Sequence, residues 1–480
     1  MSAGEATIRV GVLTGRREIG GFFHGPFRTA AGEILTGPFH LAAGAPSRRR
    51  GGDPLRDPGP GAAAAAGPPP AGGGDGLISL RTRGGDRLLT PEELCFRPEG
   101  ETVFSLAEVT IGVNFHWERR EGQTFQGSLA VLVEPDGTLT AVNEIGREDY
   151  LASVISSEMA ATAPREFLKA HAVIARSWLG AMEERKKTAP VGAADRRGDS
   201  PANRSRAVDE IIRWYGREEH ARFDVCADDH CQRYQGVTKI VSEEARRAVE
   251  STRGLVLVHG GRICDTRYHK ACGGRTEDFA NVWEDVPIPY LRSVPDGPED
   301  YPPVTGEETA AAWIAGRPDA YCNAGDAAAL RRILPDFDRE TRDFFRWEVS
   351  YGREELEALL RRRAGIDFGV LHALVPLRRG PSGRIVCLKI EGSRRTVIVG
   401  KELEIRRWLS PSHLYSSAFV VETERDVRGK AARFTLRGAG WGHGVGLCQI
   451  GAAMMACRGF TMEAILGHYF PGTSLERPGW

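Results

Sequence analysis

The chain lacks an excess of charge of either sign. Its 480 residues hold 64 lysines and arginines against 64 aspartates and glutamates, a formal net charge of zero. Nucleic-acid binding normally shows a basic surplus, so this balance gives no support to such a partner. The chain also lacks any apolar run approaching the roughly 20 residues of a membrane span. Its start, MSAGEATIRVGVL, has no basic stretch followed by an apolar one, so no secretory signal is visible there. The cysteines are nine, an odd count that does not read as a disulfide framework. What is present is ordinary: 41% hydrophobic and 27% charged residues, the balance of a soluble globular protein. The length suits two or three domains, or one large domain with insertions.

Glycine and proline punctuate the chain. Residues 7 to 41 alternate short β-like runs with glycine, whereas residues 42 to 76, a Pro/Gly/Ala tract, lose all periodicity and are expected to be disordered. The β pattern resumes over 77 to 101 and continues from Val103 to Val142, with a hairpin around Pro135-Asp136-Gly137. Helices follow: REDYLASVISSEMA, then PREFLKAHAVIARSWLGAMEERKK, where Leu168, Ala172, Ala175, Leu179 and Met182 keep one apolar stripe. GLVLVHGGRICD and RIVCLKIEGSRRTVIV read as hairpins, and the stretch between them is mixed and partly helical. The chain ends with a strand (ARFTLRG), a glycine-rich loop, a helix over Leu447 to Arg458 stopped by Gly459, and a short helix after Thr461. The class is α+β: a β-rich frame with a helical segment and a Gly-rich loop towards the C-terminal end.

Three constellations carry candidate chemistry. Glu158 stands where the first helix ends, facing the negative end of the helix dipole with Ile155 and Met159 as apolar neighbours. Both surroundings raise a carboxyl pKa, as a general acid near neutrality requires. A solvated glutamate at a helix end is the commoner case for this spacing alone. In HARFDVCADDHCQRYQG, Cys226 and Cys231 form C-x4-C, with His230 adjacent and His220 upstream. Zinc ligation and a buried or disulfide-linked pair both stand open. In ICDTRYHKACGGRTEDFANVW, Cys264 and Cys272 are placed either to pair across a turn or to lend one thiol to the metal, and His269 to line a cleft. Finally, GWGHGVGLCQIGA surrounds His443 with glycines between a strand and a helix, which favours a loop whose backbone something large approaches closely.

Together these motifs resemble the stage II sporulation protein D family (SpoIID/LytB domain). The match comprises EDYLASVISSEM (148–159), LKAHAVIARSW (168–178), PYLRSV (289–294), GWGHGVGLCQIGA (440–452) and ILGHYFPGT (465–473). It divides the chain into an N-terminal β accessory region (1–41 and 77–101), the family core (102–295 and 421–480), and an inserted mixed α/β segment (296–420).

The resemblance implies peptidoglycan as substrate. Its characterised members are lytic transglycosylases cleaving between N-acetylmuramic acid and N-acetylglucosamine, and their catalytic glutamate corresponds to Glu158. It further implies that His443, Gly442, Gly444 and Gln449 bind the glycan, with Arg176 alongside and His269 on the opposite wall. One relative contains zinc, which by resemblance assigns a structural zinc to His220, Cys226 and Cys231, with His230 as fourth ligand. Other relatives are named as enhancers of an N-acetylmuramoyl-L-alanine amidase. The alternative expectation is therefore a non-catalytic, wall-binding activator with a cell-wall amidase as partner. Either role places the protein in the cell envelope, outside the cytoplasm. Cys448 and Ile450 stand where many members carry Met or Ser and Tyr, and His171 where Gln is common.

Overall fold

The computed structural model describes residues 6–43, 78–89, 93–113, 118–188, 198–199, 209–215, 220–339 and 344–478. Apart from Ala42 and Ala43, the tract expected to be disordered lies outside these residues. Strands outnumber helices, so the architecture is α+β and β-rich. No helix among the described residues is long and apolar enough to cross a membrane. Two compact units form: one from Met1–Val113, Trp117–Glu158 and Glu219–Val241, the other from Asn114–His116, Met159–Glu218 and Ser242–Trp480.

The first unit is built on one large sheet. Its strands are β1 (Thr7–Arg16), β2 (Glu18–Thr29), β3 (Ile34–Ala43), β4 (Ile78–Thr82), β5 (Gly85–Leu89), β6 (Glu93–Pro98), β7 (Val103–Ile111), β8 (Arg119–Gln126), β9 (Ser128–Val133) and β10 (Leu139–Gly146). The strands expected of an accessory region and those of the core share this sheet. β1 runs antiparallel to β10, with Thr7 opposite Gly146 and Val10 opposite Asn143, and β2 pairs with β3, β6 and β7. The separation drawn between residues 101 and 102 is therefore absent from the backbone pairing. The reason lies in the pattern of Ile8, Val10, Ile19, Phe23 and Phe27, which keeps one face of β1 and β2 apolar and buried. Phe23, Phe27, Phe39 and Phe96 stack there, with ring centroids 4.4–5.3 Å apart for the contacts Phe23 makes. Each buried phenylalanine stabilises the unit by about 2–3 kcal/mol. The expected hairpin at Pro135-Asp136-Gly137 joins β9 to β10, with Gly137 at φ 77°. Helix α1 (Arg147–Glu158) follows directly and ends the segment.

The second unit begins with helix α2 (Arg165–Thr188), whose expected stripe residues are all buried. Its apolar centre is a cluster including Trp347, Leu356, Leu360, Ile390, Val399, Ile405, Trp408, Phe434 and Leu436. Three antiparallel strands, Arg346–Gly352, Ala431–Ala439 and Phe419–Arg425, pair in that order. A second sheet joins Leu371–Arg379, Ile385–Gly392 and Thr396–Gly400, with Asp209–Trp214 parallel to the last and Gly198–Asp199 beyond it. The pairing of Arg346–Gly352 with Ala431–Ala439 crosses the expected limit at residue 420. The segment drawn as an insertion thus shares its core with the C-terminal part. The helix expected from Leu447 starts two residues later, because Leu447–Cys448 pairs in parallel with Tyr268–His269 before the helix Gln449–Cys457 begins. Thr461 caps the last helix, its hydroxyl accepting from Ala464 N at 3.3 Å.

Candidate functional site

Glu158 is the last residue of α1 and only 6% exposed. The buried serines beside it are satisfied within their own helix, Ser156 donating to Ala152 O at 2.8 Å and Ser157 to Ser153 O at 2.7 Å. Their hydroxyls therefore do not compete for the carboxylate. Oε1 of Glu158 accepts from the backbone N–H of Arg233 at 3.0 Å. The next turns of that segment are also fastened to α1: Tyr150 OH donates to Gln232 Oε1 at 3.2 Å, Gln235 N–H donates to Ser153 Oγ at 3.3 Å, and Tyr150 stacks on Tyr234 at 5.3 Å. The Arg233 side chain is anchored by a fork onto Asp229 at 2.9 and 3.0 Å. The sequence read Glu158 correctly as a helix-end residue with apolar neighbours, but it held no signal for the Arg233 amide that orients the carboxylate.

The same segment carries the histidine–cysteine cluster. Single ligand atoms of His220, Cys226, His230 and Cys231 all lie within 4.8 Å of one another. His220 Nε2 is 3.3 Å from Cys231 Sγ, and His230 Nδ1 is 3.4 Å from Cys231 Sγ and 3.7 Å from Cys226 Sγ. A tetrahedral zinc with sulfur and nitrogen ligands sets its donors about 3.5–3.8 Å apart, so this donor set fits that ion. Neither cysteine is in a disulfide. β1 supplies the platform: Val10 and Gly11 pair in parallel with Val225 and Cys226, and Asp224 N–H donates to Arg9 O at 2.9 Å. A Cβ on Gly11 would stand 2.6 Å from the Phe223 ring, which stacks on His220 at 4.5 Å. The N-terminal strand is therefore part of what holds the cluster.

His443 lies in the second unit, in the glycine-rich loop. Gly440, Gly442, Gly444 and Gly446 all have positive φ, from 74° to 95°. The large body approaching this backbone is the protein itself. A Cβ on Gly446 would sit 2.1 Å from Arg267 O, one on Gly440 2.6 Å from Cys272 O, and one on Gly444 2.5 Å from the Arg384 guanidinium. Arg384 is fully buried and donates to Gly442 O at 3.0 Å and Cys272 O at 3.1 Å, clamping the loop from the segment drawn as an insertion. The glycines are thus explained by internal packing.

One peptide ties two imidazoles together. Val445 N–H donates to His443 Nδ1 and His269 Nδ1–H donates to Val445 O, both at 3.1 Å. Neutral His443 then carries its proton on Nε2 and neutral His269 on Nδ1. Burial pushes His269 down to about 3, with the Arg384 charge adding to it. Burial likewise holds His443 well below the usual range, helped by His269 and Arg267. Both rings are therefore neutral near physiological pH. His269, expected across a groove from His443, instead lies beside it, ring centroids 5.6 Å apart. Trp283 meets His443 edge-on at 4.9 Å, and Arg267 lies over the Trp283 ring at 4.3 Å. Arg267, Trp283, Phe279, Tyr290, Asp265 and Trp214 line a cavity of about 340 Å³. Sequence reasoning missed Trp283 and Arg267, since nothing in their spacing marks them.

Two residues expected to contact substrate are buried. Arg176 is 1% exposed, and its guanidinium donates to Leu255 O at 3.1 Å and Val249 O at 3.4 Å, so it fastens α2 to the helix Glu243–Ser251 and the turn after it. Gln449 is buried at the first position of its helix. Cys264 and Cys272 form no disulfide.

Comparison with known proteins agrees with the resemblance. Residues 135–259 match the family model described as Stage II sporulation protein, a range that includes Glu158 and all four residues of the histidine–cysteine cluster. Residues 277–446 match a domain of unknown function (DUF8618), which ends inside the glycine loop. Stage II sporulation protein D of Bacillus subtilis is 24% identical over 339 residues, covering 70% of this chain and 76% of that protein. An uncharacterized protein of Brachyspira hyodysenteriae is 26% identical over 359 residues, 74% of this chain and 73% of its own. The Amidase enhancer of Bacillus subtilis is 24% identical over 255 residues, 49% of this chain but a third (33%) of that protein.

Proposed function

We propose that this chain, whose residues 135–259 match the Stage II sporulation protein family model, is a lytic transglycosylase of peptidoglycan acting outside the cytoplasm. The observation that carries the reading is the Glu158 carboxyl, buried at a helix C-terminus and oriented by the Arg233 amide. A protonated Glu158 donates its proton to the glycosidic oxygen between muramoyl and glucosaminyl residues. The C1–O bond breaks towards that oxygen and leaves positive charge shared by C1 and the ring oxygen. The resulting carboxylate takes the proton of the muramoyl C6 hydroxyl. That oxygen's electron pair then closes onto C1, giving the 1,6-anhydro product and restoring the acid. No water enters and no second carboxylate is needed.

Within the second unit, neutral His443 offers a hydrogen-bonding edge rather than a charge, and Trp283 an apolar face, chemistry that suits an uncharged sugar. His220, Cys226, His230 and Cys231 would hold a structural zinc. When bound, that ion would supply a closed four-ligand anchor for the loop that ends in Arg233, and so for the amide on Glu158.

A Glu158→Gln variant tests the reading. Release of 1,6-anhydro-muropeptides should fall by roughly 10²–10⁴-fold, the worth of a general acid, while binding to insoluble peptidoglycan persists. Unchanged release would sink it. The relative named Amidase enhancer favours a second reading, a wall-binding activator of an amidase. In that case the Gln variant still raises the yield of an added N-acetylmuramoyl-L-alanine amidase as wild type does.

A further inference from the structure

The second unit contains a cluster that the proposed reaction does not use. Cys272, Asp296, Cys322 and Cys448 converge, with one ligand atom from each lying within 4.8 Å of every other. All four are buried, at 0–2% exposure. The Cys272 and Cys322 sulfurs are 3.5 Å apart and not bonded. Two sulfurs on one tetrahedral zinc stand about 3.8 Å apart.

Backbone amides are aimed at the sulfurs. Gly274 N–H donates to Cys272 Sγ at 3.3 Å. Cys448 Sγ receives Cys272 N–H at 3.3 Å and Gly451 N–H at 3.4 Å, the latter from the first turn of the helix Gln449–Cys457 that Cys448 caps. Such donors favour a thiolate over a thiol. The carboxylate is oriented as well. Asp296 Oδ2 accepts from Cys322 N–H at 2.9 Å and Oδ1 accepts from Tyr469 OH. A Cβ on Gly451 would come within 2.4 Å of Asp296 Oδ1, so the helix leaves room for that oxygen. Deprotonated, three soft sulfurs and one carboxylate shielded from water need a cation to offset their charge. The compact spacing suits a single ion rather than a polynuclear cluster, and the donor set suits zinc.

We propose that Cys272, Asp296, Cys322 and Cys448 form a closed, structural zinc site, distinct from the histidine–cysteine cluster of the first unit. Four protein ligands and full burial leave no open position, so the ion ties together chain segments rather than reacting.

Elemental analysis and native mass spectrometry of the full chain, purified with zinc as the sole added metal, test this. Wild type is expected to hold two zinc ions per chain. The Cys226→Ser/Cys231→Ser variant is expected to keep one, and cobalt loaded into that variant should show thiolate-to-cobalt charge transfer. Cys322→Ser is expected to lose one relative to wild type. If Cys322→Ser fails to fold, the count in the Cys226→Ser/Cys231→Ser variant decides alone. An empty Cys226→Ser/Cys231→Ser variant, a zinc count that Cys322→Ser leaves unchanged, or a Cys272–Cys322 disulfide in unreduced protein would each overturn the proposal.

Discussion

The two thiol clusters differ in how the chain assembles them. His220, Cys226, His230 and Cys231 lie within one short stretch, are largely half-exposed, and sit on a loop whose far end orients Glu158. Cys272, Asp296, Cys322 and Cys448 come from four separated segments and are sealed from solvent. The first arrangement serves a neighbouring group, because a loop that must present an amide needs local anchoring. The second serves the unit as a whole, because it joins the Gly273-Gly274 turn, the loop at Asp296, the segment at Cys322 and the helix at Cys448. On the proposed reading, position in the fold, more than ligand type, separates a support for chemistry from a support for folding.

That contrast can be broken in several ways. The largest effect is expected from Glu158→Gln. Turnover should drop by roughly 10²–10⁴-fold, yet elemental analysis should find whatever zinc the two clusters hold unchanged, since in the proposed reaction the carboxyl transfers protons and ligates nothing. Next comes Cys322→Ser. Chemical denaturation should show a loss of about 3 kcal/mol or more, as for other buried metal sites that lose a ligand. Gly446→Ala tests the loop packed nearby. Its Cβ would meet Arg267 O at 2.1 Å with φ at 74°, whereas Gly429, at φ 76°, has nothing within 4 Å. Thermal unfolding should therefore report about 3 kcal/mol lost for Gly446→Ala and about 1 kcal/mol for Gly429→Ala. Equal losses would mean that crowding is not what holds glycine at 446.

The peripheral cluster should give a smaller and different response. Cys226→Ser/Cys231→Ser is expected to reduce turnover by roughly 10–100-fold through loss of orientation, while denaturation of the second unit is unchanged. A pH-dependent effect concerns His171, buried in α2 with neither ring nitrogen partnered among the described residues. Burial lowers its pKa to about 3, with Lys270 adding to the shift. The unfolded chain therefore binds the proton that the folded chain refuses, and stability falls as pH drops through the ordinary histidine range. From about pH 7 to about pH 5 this amounts to about 2 kcal/mol. His171→Gln, which cannot take the proton, should flatten the stability–pH curve by that amount.

How far the sequence reached depended on distance along the chain. The helix ending at Glu158, the apolar stripe of α2, the hairpin at Pro135-Asp136-Gly137 and the C-x4-C with its histidines were all legible, because each is written in consecutive or periodically spaced residues. The glycine loop was legible as a place of close approach, but not what approaches it. Arg384 and the carbonyls of Arg267 and Cys272 fill that space, and they come from segments 58 to 179 residues away. Arg176 was placed beside the glycan by resemblance alone; its hydrogen bonds to the carbonyls of Val249 and Leu255, far along the chain, hold it buried instead.

By itself the sequence determined the α+β class, the acidic residue at the end of α1 and the short-range histidine–cysteine cluster beside it, since helix ends, turns and local clusters follow from residue order. The tertiary structure decided that the N-terminal strand is the platform of the first cluster, that Val445 sets the tautomers of both His443 and His269, and that three scattered cysteines meet one buried aspartate. Those outcomes require loops to close over long stretches of chain. The free energy that closes them comes from burying apolar side chains across the whole unit, a sum to which no short motif bears witness.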